Sequence, residues 1–228
     1  CHVAGGDRGD AETGQRRLGR PDRPRPAGRR GDDVCLYRRR SIPIRRAGRF
    51  EVEGLLARMP RIAQASTPEL ASMAESLPRA LAHWLARRVP EVPTGIIHGD
   101  LFRDNVLFRA PEGPEASTIV AILDFESASD GRWIFDLAVT VLAWCVGDDF
   151  SVPLARALIR SYQEVRKLEP SELRTFQAEL CLATLRFTTT RITDYALRTG
   201  IGPRVMKDWR RFWMRYRVVS EMAPESLF

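Results

Sequence analysis

Thr94–Phe108 reads TGIIHGDLFRDNVLF, and Ile119–Asp130 reads IVAILDFESASD. Together they set His98-Gly99-Asp100 behind a short apolar run, Asn105 five residues further on, and Asp124 at the end of a second apolar run. A carboxylate in a loop after a strand can take the proton of an attacking hydroxyl and hold its oxygen in line with a phosphoryl group. A side-chain amide oxygen and a second carboxylate suit a hard cation such as Mg²⁺, which in turn carries nucleotide phosphates. The pattern therefore points to phosphoryl transfer with ATP and Mg²⁺. Asp100 is the candidate base, and Asn105 and Asp124 are the candidate metal ligands. His-x-Asp alone is a weak signal; Asn105 at that spacing and a strand-borne Asp nineteen residues after it make it specific. A metal hydrolase built on His98 and Asp100 would want a second histidine nearby, and the sequence has none there.

Outward from this centre, Ile96-Ile97 predicts a strand into His98, Val106–Phe108 a second, and Ile119–Leu123 a third, with a Pro-Glu-Gly-Pro turn at 111–114 between the last two. A helix is expected over Trp133–Val146, and three more over about 153–167, 171–198 and 203–220. Upstream, Val52, Leu55, Leu56 and Met59 recur at helical spacing, and Pro60 should stop or kink that helix. Thr67-Pro68-Glu69 starts another, with proline in its first turn. Its stripe of Leu70, Met73, Leu77, Leu81, Trp84 and Leu85 runs to about Arg88, before Pro90 and Pro93. The expected fold class is α+β, mostly helical, with one small β-hairpin sheet carrying the central loop.

Charge divides the chain. Residues 1–50 hold fourteen arginines against six acids, a net of +8, whereas the remaining residues net −1. Residues 1–46, dominated by Gly, Arg, Pro and Asp, read as a disordered basic segment. With Cys1 in place of a methionine, that segment is expected to reflect a fragment or a misassigned or out-of-frame start. Residues 47–222 read as the ordered domain. Since the basicity lies outside it, nucleic-acid binding is not expected. The four cysteines are scattered and do not cluster with the three histidines, which argues against zinc and a disulfide framework and fits a cytoplasmic setting. No apolar signal-peptide core opens the chain, and the longest apolar run, Ile134–Val146, contains Asp136 and is too short to span a bilayer. No membrane partner is expected, and oligomeric state is left open.

His98-Gly99-Asp100-x4-Asn105, then Asp124-Phe125-Glu126 after a strand, then Gly131-Arg132-x3-Asp136-Leu137-Ala138, resembles the aminoglycoside phosphotransferase-like kinases of the protein-kinase-like fold. Leu101–Phe108, and Leu185–Tyr195 with Lys207, Asp208 and Phe212, resemble the bacterial homoserine kinases of that fold. The resemblance spans roughly Phe50 to Arg217 and implies the C-terminal lobe of such a kinase. It implies Asp100 as catalytic base, Asn105 and Asp124 on Mg²⁺, His98 bracing the loop, and Asp136 accepting hydrogen bonds from the loop backbone. It also implies homoserine as acceptor, hence threonine biosynthesis, with choline, aminoglycosides and sugar amines as the acceptors of relatives. A zwitterionic acceptor needs a cation and an anion. Phe187, Arg191 and Asp194 share one face of the predicted helix, so Arg191 and Asp194 are candidates, unless they form a solvated ion pair; Glu126 and Asp130 are rival anions. Phe125-Glu126-Ser127 departs from the aromatics such kinases carry after the metal aspartate. No lysine precedes Lys167, and no strand-rich segment precedes Phe50. The strand lysine of the N-terminal lobe is thus unaccounted for, and Arg38–Arg40 cannot stand in for it. Weak or no ATP turnover is the corresponding expectation.

Overall fold

The helix Pro170–Arg191 organises the fold, and its sequence explains how. Glu169 and Glu172 close a reciprocal capping box at its start, with Pro170 in the first turn. From Thr175 onward nearly every side chain is buried, including Phe176, Leu180, Cys181 and Leu185. The polar ones satisfy themselves. Thr188, Thr189 and Thr190 donate their hydroxyls to the carbonyls of Thr184, Leu185 and Arg186, one turn back, at 2.8–3.1 Å.

The computed structural model describes residues 48, 51–65, 67–109, 118–198 and 207–228, and the basic segment 1–46 lies outside them. In chain order the elements are α1 (Val52–Leu56), α2 (Met59–Ala63), α3 (Pro68–Leu85), β1 (Thr94–Ile97), β2 (Val106–Phe108), β3 (Ile119–Ile122), β4 (Ser129–Arg132), α4 (Trp133–Trp144), α5 (Val152–Val165), α6 (Pro170–Arg191) and α7 (Arg210–Glu221). The class is α+β and mostly helical. Helices α3, α4 and α7 pack around α6. Leu77, Leu81, Ile134, Leu142, Leu185 and Phe212 fill the space between them. The Thr67 hydroxyl accepts the Leu70 N–H at 3.4 Å and so caps α3. Pro60 lies in the first turn of α2, so the break between α1 and α2 falls at Ala57-Arg58, ahead of the proline. No helix among the described residues is long and apolar enough to cross a membrane.

The described residues form two two-stranded sheets where the sequence predicts one. β2 pairs antiparallel with β3, and β1 pairs antiparallel with β4, whose SDGR sequence carries no strand signal. Gly95 and Gly131 face each other in this second pair. A side chain at Gly95 would meet the Trp133 indole at 2.6 Å. β1 and β4 therefore deliver two loops side by side: His98-Gly99-Asp100 after β1, and Asp124–Ala128 before β4. A buried carboxylate locks the far end of the pair. Glu179 of α6, fully buried, holds Arg88 through two hydrogen bonds of 2.9 and 3.0 Å and lies 2.8 Å from Arg132 of β4. The β2–β3 hairpin is apolar on both faces, and Leu107, Phe108, Ile119, Val120 and Ile122 are all exposed.

Candidate active site

The central loop is held almost entirely through its main chain. Asp136, in the first turn of α4, accepts the His98 N–H at 3.0 Å on one carboxylate oxygen and the Gly99 N–H at 2.7 Å on the other. Burial of α4 explains why the residue stands out in its apolar sequence: its charge is answered by two directed donors. Gly99 takes φ +73°, and a Cβ there would also approach the Ser127 carbonyl at 3.2 Å, so glycine is required on two grounds. The buried His98 ring links the two loops. Its Nδ1 accepts the Asp100 N–H at 3.2 Å and its Nε2 lies 2.9 Å from the Leu123 carbonyl, an arrangement that fits the neutral tautomer with the proton on Nε2. Phe125 packs against that ring at 4.8 Å.

Asn105 sits at the end of a single 3₁₀ turn and anchors the other side. Its Nδ2 donates to the Asp100 carbonyl at 2.8 Å, and its own carbonyl accepts the Leu123 N–H at 2.8 Å. Fixing Nδ2 in this way leaves the amide oxygen as the group available to a ligand. Asp124 adopts φ 59°, ψ 63°, a left-handed conformation that aspartate tolerates better than most residues. Its side chain caps no helix. The donor set that Asn105 and Asp124 supply is two hard oxygens, which suits Mg²⁺ completed by phosphate and water.

Asp100 is half-buried, and among the described residues no hydrogen bond reaches its carboxylate. Burial pushes the carboxyl above its usual range, Asp124 adds to this, and the Arg186 and Lys207 charges oppose it. Arg186 is the residue that sequence reasoning missed. Its guanidinium donates to the Gly99 carbonyl, and it lies close enough to feel the charges of both Asp100 and Asp136. Burial pulls it down to about 10. The available signal was an arginine between two core residues, Leu185 and Phe187.

The structure does not bring the two acceptor candidates on α6 to common partners. The helix gives way after Arg191 to a wider π-type turn, Ile192–Ala196, and Asp194 pairs with Arg58 at 2.5 Å. Arg191 instead donates to the Asp208 carbonyl at 3.0 Å and feels the Asp100 charge. Glu126 is exposed in the short turn after Asp124, and Asp130 faces Ile96 across the β1–β4 pair.

With this geometry stands a family match: the model of the phosphotransferase enzyme family covers residues 18–174. The chain belongs to the phosphotransferase enzyme family. Its curated relatives in that family include the homoserine kinase of Bartonella henselae, 37% identical over 137 residues, which are 59% of this chain and 41% of the relative. The homoserine kinase of Caulobacter sp. is 37% identical over 149 residues, 64% of this chain and 41% of the relative. The homoserine kinase of Paramagnetospirillum magneticum is 31% identical over 183 residues, 77% of this chain and 55% of the relative. The chain thus spans about half or less of the length of these relatives.

Proposed function

We propose that this chain carries the catalytic lobe of an ATP-dependent phosphotransferase that moves the γ-phosphoryl group to the hydroxyl of a small molecule, with homoserine as the acceptor. The observation that supports it is one constellation. Asp100, whose carboxylate has no hydrogen-bond partner among the described residues, is held by its backbone between His98 and Asn105, in a loop that Asp136 fixes through the His98 and Gly99 N–H groups. Asp100 would accept the hydroxyl proton as the oxygen attacks phosphorus, and the fixed loop would hold that oxygen in line. Asn105 and Asp124 would hold Mg²⁺, which when bound would neutralise charge on the phosphates. The relatives are homoserine kinases, and a cation near Asp100, Arg191, suits the carboxylate of homoserine.

The test is an ADP-release assay with L-homoserine and Mg²⁺-ATP. Asp100→Asn is expected to lower turnover at least about 100-fold while ATP binding stays intact. Unchanged turnover in that variant refutes the role. A second reading is a remnant that keeps the fold without turnover. It predicts no ADP release with homoserine, choline, aminoglycosides or sugar amines.

A further inference from the structure

Positive charge is concentrated around one aromatic ring next to the catalytic loop. Phe102, two residues past Asp100, meets Phe187 edge-on at 5.0 Å and Phe212 at 6.0 Å. Phe212 carries two guanidiniums, Arg191 at 4.3 Å and Arg215 at 4.5 Å from its centroid. Arg103, which directly follows Phe102, stacks on Trp144 at 5.9 Å. The three arginines are fixed by main-chain carbonyls, which are neutral: Arg191 by Asp208 at 3.0 Å, Arg215 by Leu142 at 3.0 Å, and Arg103 by Trp144 at 2.7 Å. Arg211 adds a fourth charge felt by both Arg191 and Arg215.

Capping accounts for part of this. The Leu142 and Trp144 carbonyls belong to the C-terminal turn of α4, where cations are favoured. That end offers roughly half a negative charge, against four cations. Arg191 has Asp100 and Asp208 within electrostatic reach; among the described residues, the charges acting on Arg215 are Arg191, Arg211 and Arg103. Burial and those like charges pull Arg215 down to about 10. A half-buried guanidinium among guanidiniums, held in place by neutral oxygens, is an arrangement suited to binding an anion.

The geometry points to Arg191 and Arg215, flanked by Arg103 and Arg211, as the site that binds the carboxylate of the acceptor and excludes cationic alcohols. This rests on the phosphotransferase reading for the acceptor's hydroxyl, and it sharpens that reading. The same four charges repel choline, aminoglycosides and sugar amines. It also moves recognition from the α6 residues alone to a site shared by α6, α7 and the catalytic loop.

Calorimetric titration of the full chain with four probes tests it. L-Homoserine and L-2-aminobutyrate, which has the carboxylate but no hydroxyl, should bind alike. 3-Amino-1-propanol, which has the hydroxyl but no carboxylate, and choline should bind at least about tenfold more weakly, as expected for losing one charged hydrogen-bonding group. Arg191→Met and Arg215→Met should each weaken both carboxylates to a similar degree, and Arg191→Lys should recover part of the loss; circular dichroism checks that each variant folds. Equal binding of homoserine and 3-amino-1-propanol overturns the site without needing any variant. So does unchanged binding in the folded variants, or binding of inorganic phosphate with neither carboxylate. If L-2-aminobutyrate binds through the arginines but homoserine is never phosphorylated, the site stands and the homoserine reading falls. If 3-amino-1-propanol is phosphorylated and no carboxylate binds, phosphotransfer stands and the site falls.

Discussion

Asp100 sits in a place that disfavours its charge. Burial raises its carboxyl above the ordinary value, so the folded state holds that proton more tightly than the unfolded chain does. The ionised carboxylate therefore weakens the fold at pH above the raised pKa, and the penalty lifts as pH falls through it toward the ordinary value. Asp100→Asn is expected to raise the melting temperature at pH 7 by about 2 °C, with the gap closing in acid. Scanning calorimetry at pH 7 and pH 4 checks this, and a lower melting temperature for the variant at pH 7 contradicts it. The same carboxylate must be ionised to take a proton, so turnover should fall as pH drops through that raised pKa. His98, Asp100, Asn105 and Asp124 are legible in the sequence because one loop, one turn and one strand end bring them together. Arg186 is not, because it reaches Gly99 from 87 residues away and only the packing of α6 brings it there. Reading Arg191 and Asp194 as one face assumed 3.6 residues per turn; the π-type turn after Arg191 gives Asp194 to Arg58 instead.

At the scale of elements, the strand that sequence reasoning missed is the one that sets the geometry. β4 is polar and contains a glycine, so neither alternation nor β-propensity marks it. It pairs because β1 needs a partner and because Arg132 at its end is drawn to Glu179. That pair is a sharper test of the architecture than any apolar contact. Glu179 is fully buried and faces two arginines, so neutralising it leaves two guanidiniums without the carboxylate they contact. Glu179→Gln is expected to lower stability by about 3 kcal/mol in urea unfolding, with the slope unchanged. A loss below about 1 kcal/mol would mean that solvent, rather than Glu179, satisfies the arginines. Pro60 is expected to stop or kink the first helix; the chain does break there, at Ala57-Arg58, and the fixed φ of the proline then serves the first turn of α2.

In the molecule as a whole, the helices were readable wherever one face is apolar, as in α3, and α6 was readable as a helix but not as the centre of the core. Its mixed composition looks like a surface helix; tertiary packing, with threonines bonded to their own backbone, makes it the most buried element. Two thiols report on that core. Cys145 and Cys181 are free and buried, and burial pushes Cys145 up to about 11 and Cys181 further. Neither should react with iodoacetamide at pH 8 in native buffer, and both should become reactive together as urea unfolds the protein, read by peptide mass spectrometry. Labelling of either one alone under native conditions would show that the core opens piecemeal. The threonines of α6 have one more consequence. The helix has 22 residues, about 33 Å at the usual rise, which matches the roughly 30 Å hydrocarbon thickness of a bilayer. Written in valine and leucine, a helix so long and so enclosed would be a sorting error in waiting, taken up by the insertion machinery before it could fold. Glu172, Glu179, Arg186 and the threonine run make this helix too polar to read as a membrane span, although its length alone would fit one.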